Sequence, residues 1–229
     1  MKVENPNIEM IEIVAGGLGD LLLNVAFVGG ATTSLYLDST SSAVRPTKDV
    51  DCVFSIMTYV DQQKLERKLE EQGFQHCLEE GAPICRWVYR GIKVDVMPSN
   101  AAVLGFDNVW FEEGMKNTIK IELPSGRVVS LFSLPYFLAA KLAAFKDRGK
   151  LDFYASSDWE DIVTVIDGRE DIRRDILNAP KKAREFLKKE LAQFSEIESY
   201  YQSMPGHLAH LKAPLERATR VLDILSSIP

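Results

Sequence analysis

Apolar residues in the first two thirds of the chain fall in short runs, separated by stretches with helical spacing. Val25 to Val28 reads as a buried strand, followed by Gly29-Gly30 and a predicted helix from about Thr32 to Leu37. Val50 to Ile56 is a second strand, with Val50, Cys52 and Phe54 alternating against Asp49 and Asp51. Asp61 to Glu71 is rich in Gln, Lys, Leu and Glu and stops at Gly73, the pattern of a helix with a glycine terminator. Two hairpins follow: Ile84 to Tyr89 with Ile92 to Met97 around Arg90-Gly91, and Ile119 to Leu123 with Arg127 to Leu131 around Pro124-Ser125-Gly126.

From Ser133 the period changes to that of helices. Ser133 and Pro135 open one that runs to about Asp147. Ser157-Asp158-Trp159-Glu160 has capping-box spacing and predicts a helix to Ile166. Ala183 to Tyr201 and Leu215 to Ile228 read as two more, with Met204-Pro205-Gly206 as the turn between them. The expected fold is α/β (α+β): a mixed sheet flanked by helices over residues 1–131, then a helical C-terminal part over 132–229.

Composition narrows the function classes. At 46% hydrophobic and 26% charged the chain is an ordinary globular one, which excludes disordered and fibrous readings. Lys and Arg number 27 against 33 Asp and Glu; the net charge of −6 disfavours non-specific binding to nucleic acid or anionic lipid. Three cysteines, Cys52, Cys77 and Cys85, form no CxxC and are expected reduced, as small hydrophobes. The start carries acidic residues where a signal peptide needs an apolar run, and no stretch reaches the ~18 apolar residues of a membrane span. A cytoplasmic protein with no membrane partner is expected.

The candidate chemistry lies in three places. A diglycine after a buried strand, Gly29-Gly30, lets backbone amides approach a phosphate. Asp49 and Asp51, two apart on a strand, share a face. Carboxylates on a short apolar strand are costly without a cation, and Mg²⁺ characteristically takes one or two of them with substrate phosphates. Asp95, between Val94 and Val96, would complete the set from another strand. Taken singly, a diglycine is more often a turn, a DxD a solvated pair and a strand Asp a guard against aggregation. Their order along the chain is the informative feature.

That order, FVGGATTSLYL…RPTKDVDCVF…IKVDVMP, resembles the DNA polymerase β-like nucleotidyltransferase superfamily, and within it the branch of AbiEii-type toxins of toxin–antitoxin systems. Gly29, Gly30, Arg45, Thr47, Asp49, Asp51 and Asp95 match the pattern position by position. Lys141 in LAAKLAAFKDR and the run Asp158 to Ile162 are similar to two later motifs, although Ser157 stands where an arginine is usual. The resemblance covers Phe27 to Ile162. It implies transfer of a nucleoside monophosphate from a nucleoside triphosphate to an acceptor hydroxyl, with Mg²⁺ or Mn²⁺ as cofactor. Asp49, Asp51 and Asp95 would be metal ligands, with Asp95 also assisting deprotonation of the acceptor. Gly29, Gly30, Thr32, Arg45 and Thr47 would serve the nucleotide, and Lys141 with Asp158 or Asp161 would complete the catalytic set. It favours a macromolecular acceptor, RNA (tRNA) or protein, and a cognate antitoxin as partner. The acidic net charge favours a protein or a small molecule such as an antibiotic or sugar. A non-catalytic nucleotide- or partner-binding module is the rival class.

Other features carry less. Gly16-Gly17-Leu18-Gly19-Asp20 lacks the Lys-Ser/Thr of a phosphate loop and reads as a turn opening a helix over Asp20 to Asn24. His207 and His210 would share a helix face without further ligands at metal spacing, and His76 is isolated. Lys181, Lys182, Arg184, Lys188 and Lys189 make one dense basic segment, either a solvated helix face or a contact for RNA phosphates.

Overall fold

The computed structural model describes residues 5–38, 44–56, 58–105 and 108–228. Among these, the chain divides into two compact units. One comprises the residues up to Thr32 and Pro46–Ser133; the other comprises Thr33–Arg45 and the chain from Leu134 onward.

The first unit is built on a seven-stranded mixed sheet. It opens with helix α1 (Pro6–Leu18), where Asn5 caps the amides of Asn7 and Ile8 and Pro6 occupies the first turn. This helix corrects the expected glycine turn, because Gly16 and Gly17 lie inside it. A side-chain carbon at Gly17 would collide with the Tyr89 ring, so the glycine serves close packing rather than a loop. Gly19–Asn24 follows as 3-10 helix in place of the expected α-helix. The fully buried strand β1 (Val25–Val28) leads to a 3-10 segment, Gly30–Tyr36, again tighter than expected. Next come β2 (Asp49–Phe54), α2 (Tyr59–Glu71), the two-residue β3 (Gln75–His76), β4 (Arg86–Tyr89) and β5 (Ile92–Pro98). The short helices α3 (Ala101–Leu104) and α4 (Phe111–Lys116) precede the hairpin β6 (Thr118–Glu122) and β7 (Val128–Phe132).

The sheet order is β3-β4-β5-β2-β1-β7-β6. The β2–β5 and β1–β7 pairs are parallel and the remaining pairs antiparallel. At the β4–β5 turn Arg90 and Gly91 both have positive φ, 48° and 79°, the requirement of a two-residue hairpin whose twist matches its strands.

The second unit is helical: α5 (Leu134–Asp147), α6 (Ser157–Gly168), α7 (Ile172–Leu177), α8 (Lys181–Phe194), α9 (Glu198–His207) and α10 (Pro214–Ser226). Its core is aromatic. The Phe145 ring lies 4.9 Å from Phe153 and 5.3 Å from Trp159, and Phe194 and Tyr200 close the cluster at 5.1 and 5.7 Å from Phe153. Three expectations are corrected here. The stretch 183–201 is not one helix, because Ile197 adopts an extended conformation that restarts the chain as α9 and seats Tyr200 in the core. Met204-Pro205-Gly206 is no turn but the last part of α9, where a proline forfeits a single backbone hydrogen bond. The cap of α6 is Ser156, one residue before the expected Ser157; its hydroxyl accepts from the Trp159 amide. Segment 33–45 belongs to this unit: the Tyr36 ring packs against Phe137 with centroids 4.4 Å apart, and the Asp38 amide donates to the Gly168 carbonyl at 3.1 Å. No helix among the described residues is long and apolar enough to cross a membrane.

Candidate functional site

Strand geometry gathers the first unit's acidic residues. Asp49 and Asp51 alternate onto one face of β2, and the parallel register sets Asp51 directly beside Asp95 of β5. On the other side of β5, Arg86 opens β4 in register with Asp95. Its guanidinium forks onto Asp95, Nε to Oδ1 at 2.7 Å and Nη2 to Oδ2 at 2.8 Å, and Nη2 also reaches Asp49 Oδ2 at 2.9 Å. The Asp95 hydrogen bonds hold the Arg86 pKa above its ordinary value against the opposing effect of burial. Arg86 escaped the motif reading, yet the hairpin turn contains the signal. With Arg90-Gly91 as a two-residue loop, counting back four pairs sets residue 86 opposite 95.

Gly29 has φ +73°, and a side-chain carbon there would overlap the Asp51 carboxylate. The glycine therefore makes room for Asp51 as well as turning the chain after β1. Thr32, fully buried, donates its hydroxyl to the Gly29 carbonyl at 2.9 Å and so closes the same turn, with Gly30 inside it. Thr47 is tied down twice at the approach to β2. Its amide donates to Asn7 Oδ1 at 2.9 Å and its hydroxyl to the Asp49 carbonyl at 3.1 Å. Asn7, 1% exposed on α1, is a second positioning residue that sequence patterning missed. Two cysteines flank the acidic face as protonated thiols. Burial, then the Asp51 and Asp95 charges, raise Cys52, and burial with Asp95 pushes Cys85 up to about 12. All three cysteines are free thiols.

The remaining candidates meet in the helical unit. Lys141 on α5 is 5% exposed, with Nζ 2.9 Å from Asp158 Oδ1 and 2.6 Å from Asp161 Oδ2 on α6. Arg148, just past the end of α5, grips Asp158 with two bonds of 2.9 Å, and Arg45 reaches Asp161 at 3.0 Å and Glu160 at 3.7 Å. Each aspartate is thus held by two cations. Burial opposes charge on Lys141, but Asp161 and Asp158 outweigh it and raise its pKa. Burial likewise opposes charge on Asp158, yet Arg148 and Lys141 lower its pKa to about 2. Arg45 therefore lies with the helical unit and Thr47 with the sheet unit, although the motif sets them two residues apart.

No three His, Cys, Asp or Glu side chains among the described residues form a ready-made metal cage. The acidic face nonetheless suits a hard divalent cation. Its donors are carboxylate oxygens, one cation already bridges Asp49 and Asp95, and Mg²⁺ ordinarily completes its shell with water and substrate oxygens. The minor candidates resolve simply. His207 Nε2 lies 2.7 Å from the Phe153 carbonyl, and the His76 ring packs, tilted, against Trp87 with centroids 3.7 Å apart. In the basic segment, Arg184 donates to the Leu177 carbonyl, Lys181 pairs with Glu185, and Lys188 and Lys189 are exposed. Compared with family models and with curated proteins, the chain gives no match to either.

Proposed function

We propose that this chain is a metal-dependent nucleotidyltransferase, moving a nucleoside monophosphate from a nucleoside triphosphate to an acceptor hydroxyl. The observation that carries the reading is the acidic face: Asp49, Asp51 and Asp95 on one side of adjacent parallel strands, with Asp51 in register with Asp95 and Asp49 bridged to Asp95 by a guanidinium. Three carboxylates there are costly unless the site exists to hold cations. In this reading Asp49, Asp51 and Asp95 hold Mg²⁺ or Mn²⁺, which supplies Lewis acidity to the phosphate oxygens and to the attacking hydroxyl. The Gly29-Gly30 turn keeps Asp51 in place and offers backbone amides to the triphosphate. Asp95, in this reading, would also accept the acceptor's proton, on an oxygen that Arg86 releases. The acceptor oxygen bonds to the α-phosphorus, and the bond to pyrophosphate breaks. Lys141 and Arg45 contribute positive charge in the helical unit, oriented by Asp158 and Asp161.

The net charge of −6 favours a protein or small-molecule acceptor over RNA, while exposed Lys188 and Lys189 give RNA a local foothold. One experiment tests the function and sorts these acceptors. The protein is incubated with each α-labelled nucleoside triphosphate, Mg²⁺ or Mn²⁺, and cell extract, and the label is followed into RNA, protein or small molecules. Label should transfer with wild type and vanish with Asp49→Asn or Asp51→Asn, while circular dichroism shows both variants folded. Equal transfer by wild type and variants would overturn the assignment.

A further inference from the structure

We propose that Arg86 is a built-in counter-cation of the acidic face: it holds Asp49 and Asp95 together in the metal-free protein and, by the same charge, weakens divalent-cation binding. This rests on the metal-dependent reading above. Both Asp95 oxygens and one Asp49 oxygen accept from this single guanidinium, across three adjacent strands. Side-chain exposures of 20% for Arg86 and 13% for Asp95 remove much of the water that would otherwise solvate the carboxylates. Without a partner they would repel each other in a partly desolvated site. Lys93, in register with Asp49, is drawn instead to Glu79 at 2.5 Å.

A divalent cation bound by Asp49 and Asp95 competes for the same oxygens and repels the guanidinium. Two cations that share one anionic site oppose each other reciprocally: whatever Arg86 takes from metal affinity, metal takes from the hold of Arg86. An ordinary structural strut would behave differently, since its loss would cost the same stability with or without metal.

The test measures Mn²⁺ affinity by electron paramagnetic resonance of the free ion, and melting temperature in EDTA and in saturating Mg²⁺. It uses the full chain as wild type, Arg86→Met, Arg86→Lys and Asp49→Asn. Arg86→Met should bind Mn²⁺ roughly fivefold tighter or more. It should melt below wild type in EDTA, and that deficit should shrink in Mg²⁺. Arg86→Lys, which keeps the charge, should stay near wild-type affinity. Unchanged or weaker Mn²⁺ binding by Arg86→Met, or an equal melting deficit in both buffers, would overturn the proposal. Should Arg86→Met fail to fold, the double variant Arg86→Met/Asp95→Asn removes one charge of each sign and should fold in EDTA. A double variant that also fails would count against the counter-cation role. If wild type binds no Mn²⁺, or Asp49→Asn leaves binding intact, the metal-dependent reading itself falls. Loss of binding in Asp49→Asn with no response to Arg86→Met removes the Arg86 proposal alone.

Discussion

Gly29 meets two demands at one position, a positive φ and the carboxylate of Asp51 where a side chain would otherwise lie. Gly91 meets only the first: its φ is +79°, with nothing within 4 Å of an added carbon. Comparing the two separates backbone strain from displacement of Asp51. Both Gly29→Ala and Gly91→Ala should lose about 1–2 kcal/mol for the left-handed backbone. Gly29→Ala should lose more, and should also lose nucleotide transfer, because Asp51 must move; Gly91→Ala should retain transfer. Calorimetric melting and the labelling reaction read the two effects. At this scale much was legible in the chain itself. Strand alternation alone gives Asp49 and Asp51 a common face. The company of Asp95 was hidden, since a residue's neighbours across a sheet depend on strand order. Arg86 lay between, open to a count from the hairpin turn but attached to no motif.

Between α5 and α6 an ionic link adds to the apolar packing of Phe145 on Trp159. Lys141 spans Asp158 and Asp161 from inside the core, and Arg148 closes on Asp158 from outside. A carboxyl held at about 2 against an ordinary 3.8 contributes stability that is fully present above the ordinary value. That contribution fades as pH falls through the lower value. Asp158→Asn should therefore destabilise the protein at neutral pH by roughly 2 kcal/mol or more. The gap between wild type and variant should narrow as pH is lowered from 3.8 towards 2, as read from urea midpoints across that range. Lys141 acts with the opposite sign, since its raised pKa contributes stability at and below its ordinary value that is lost only at higher pH. Elements were best anticipated where a local signal marks both ends, as in β1, α2 and the two hairpins. They were misjudged where a tertiary contact decides. Gly17 packs under the Tyr89 ring within a helix, and Pro205 lies in the last turn of α9 rather than starting a turn. The break at Ile197 carries no glycine or proline to mark it, and it seats Tyr200 in the aromatic core.

Across the whole molecule, the change of period near Leu131 marked where helices take over, and the chain enters the helical unit at Leu134. The earlier visit of segment 33–45 left no local trace, because its partners Phe137, Asp161 and Gly168 lie about a hundred residues away. A fragment comprising residues 134–229 should consequently be incompletely folded. It lacks Tyr36, 2% exposed against Phe137, and it lacks the Arg45 that pairs with the buried Asp161. Poor dispersion in its amide NMR spectrum and broad thermal melting would show this, whereas a sharp cooperative melt would disprove it. The same threading bears on inheritance. A lineage that exchanged its helical half with a relative through one crossover near residue 133 would pair new helices with an old 33–45 segment. Only paired changes in both stretches would restore the fit, so the two should mutate in concert and resist shuffling as independent modules.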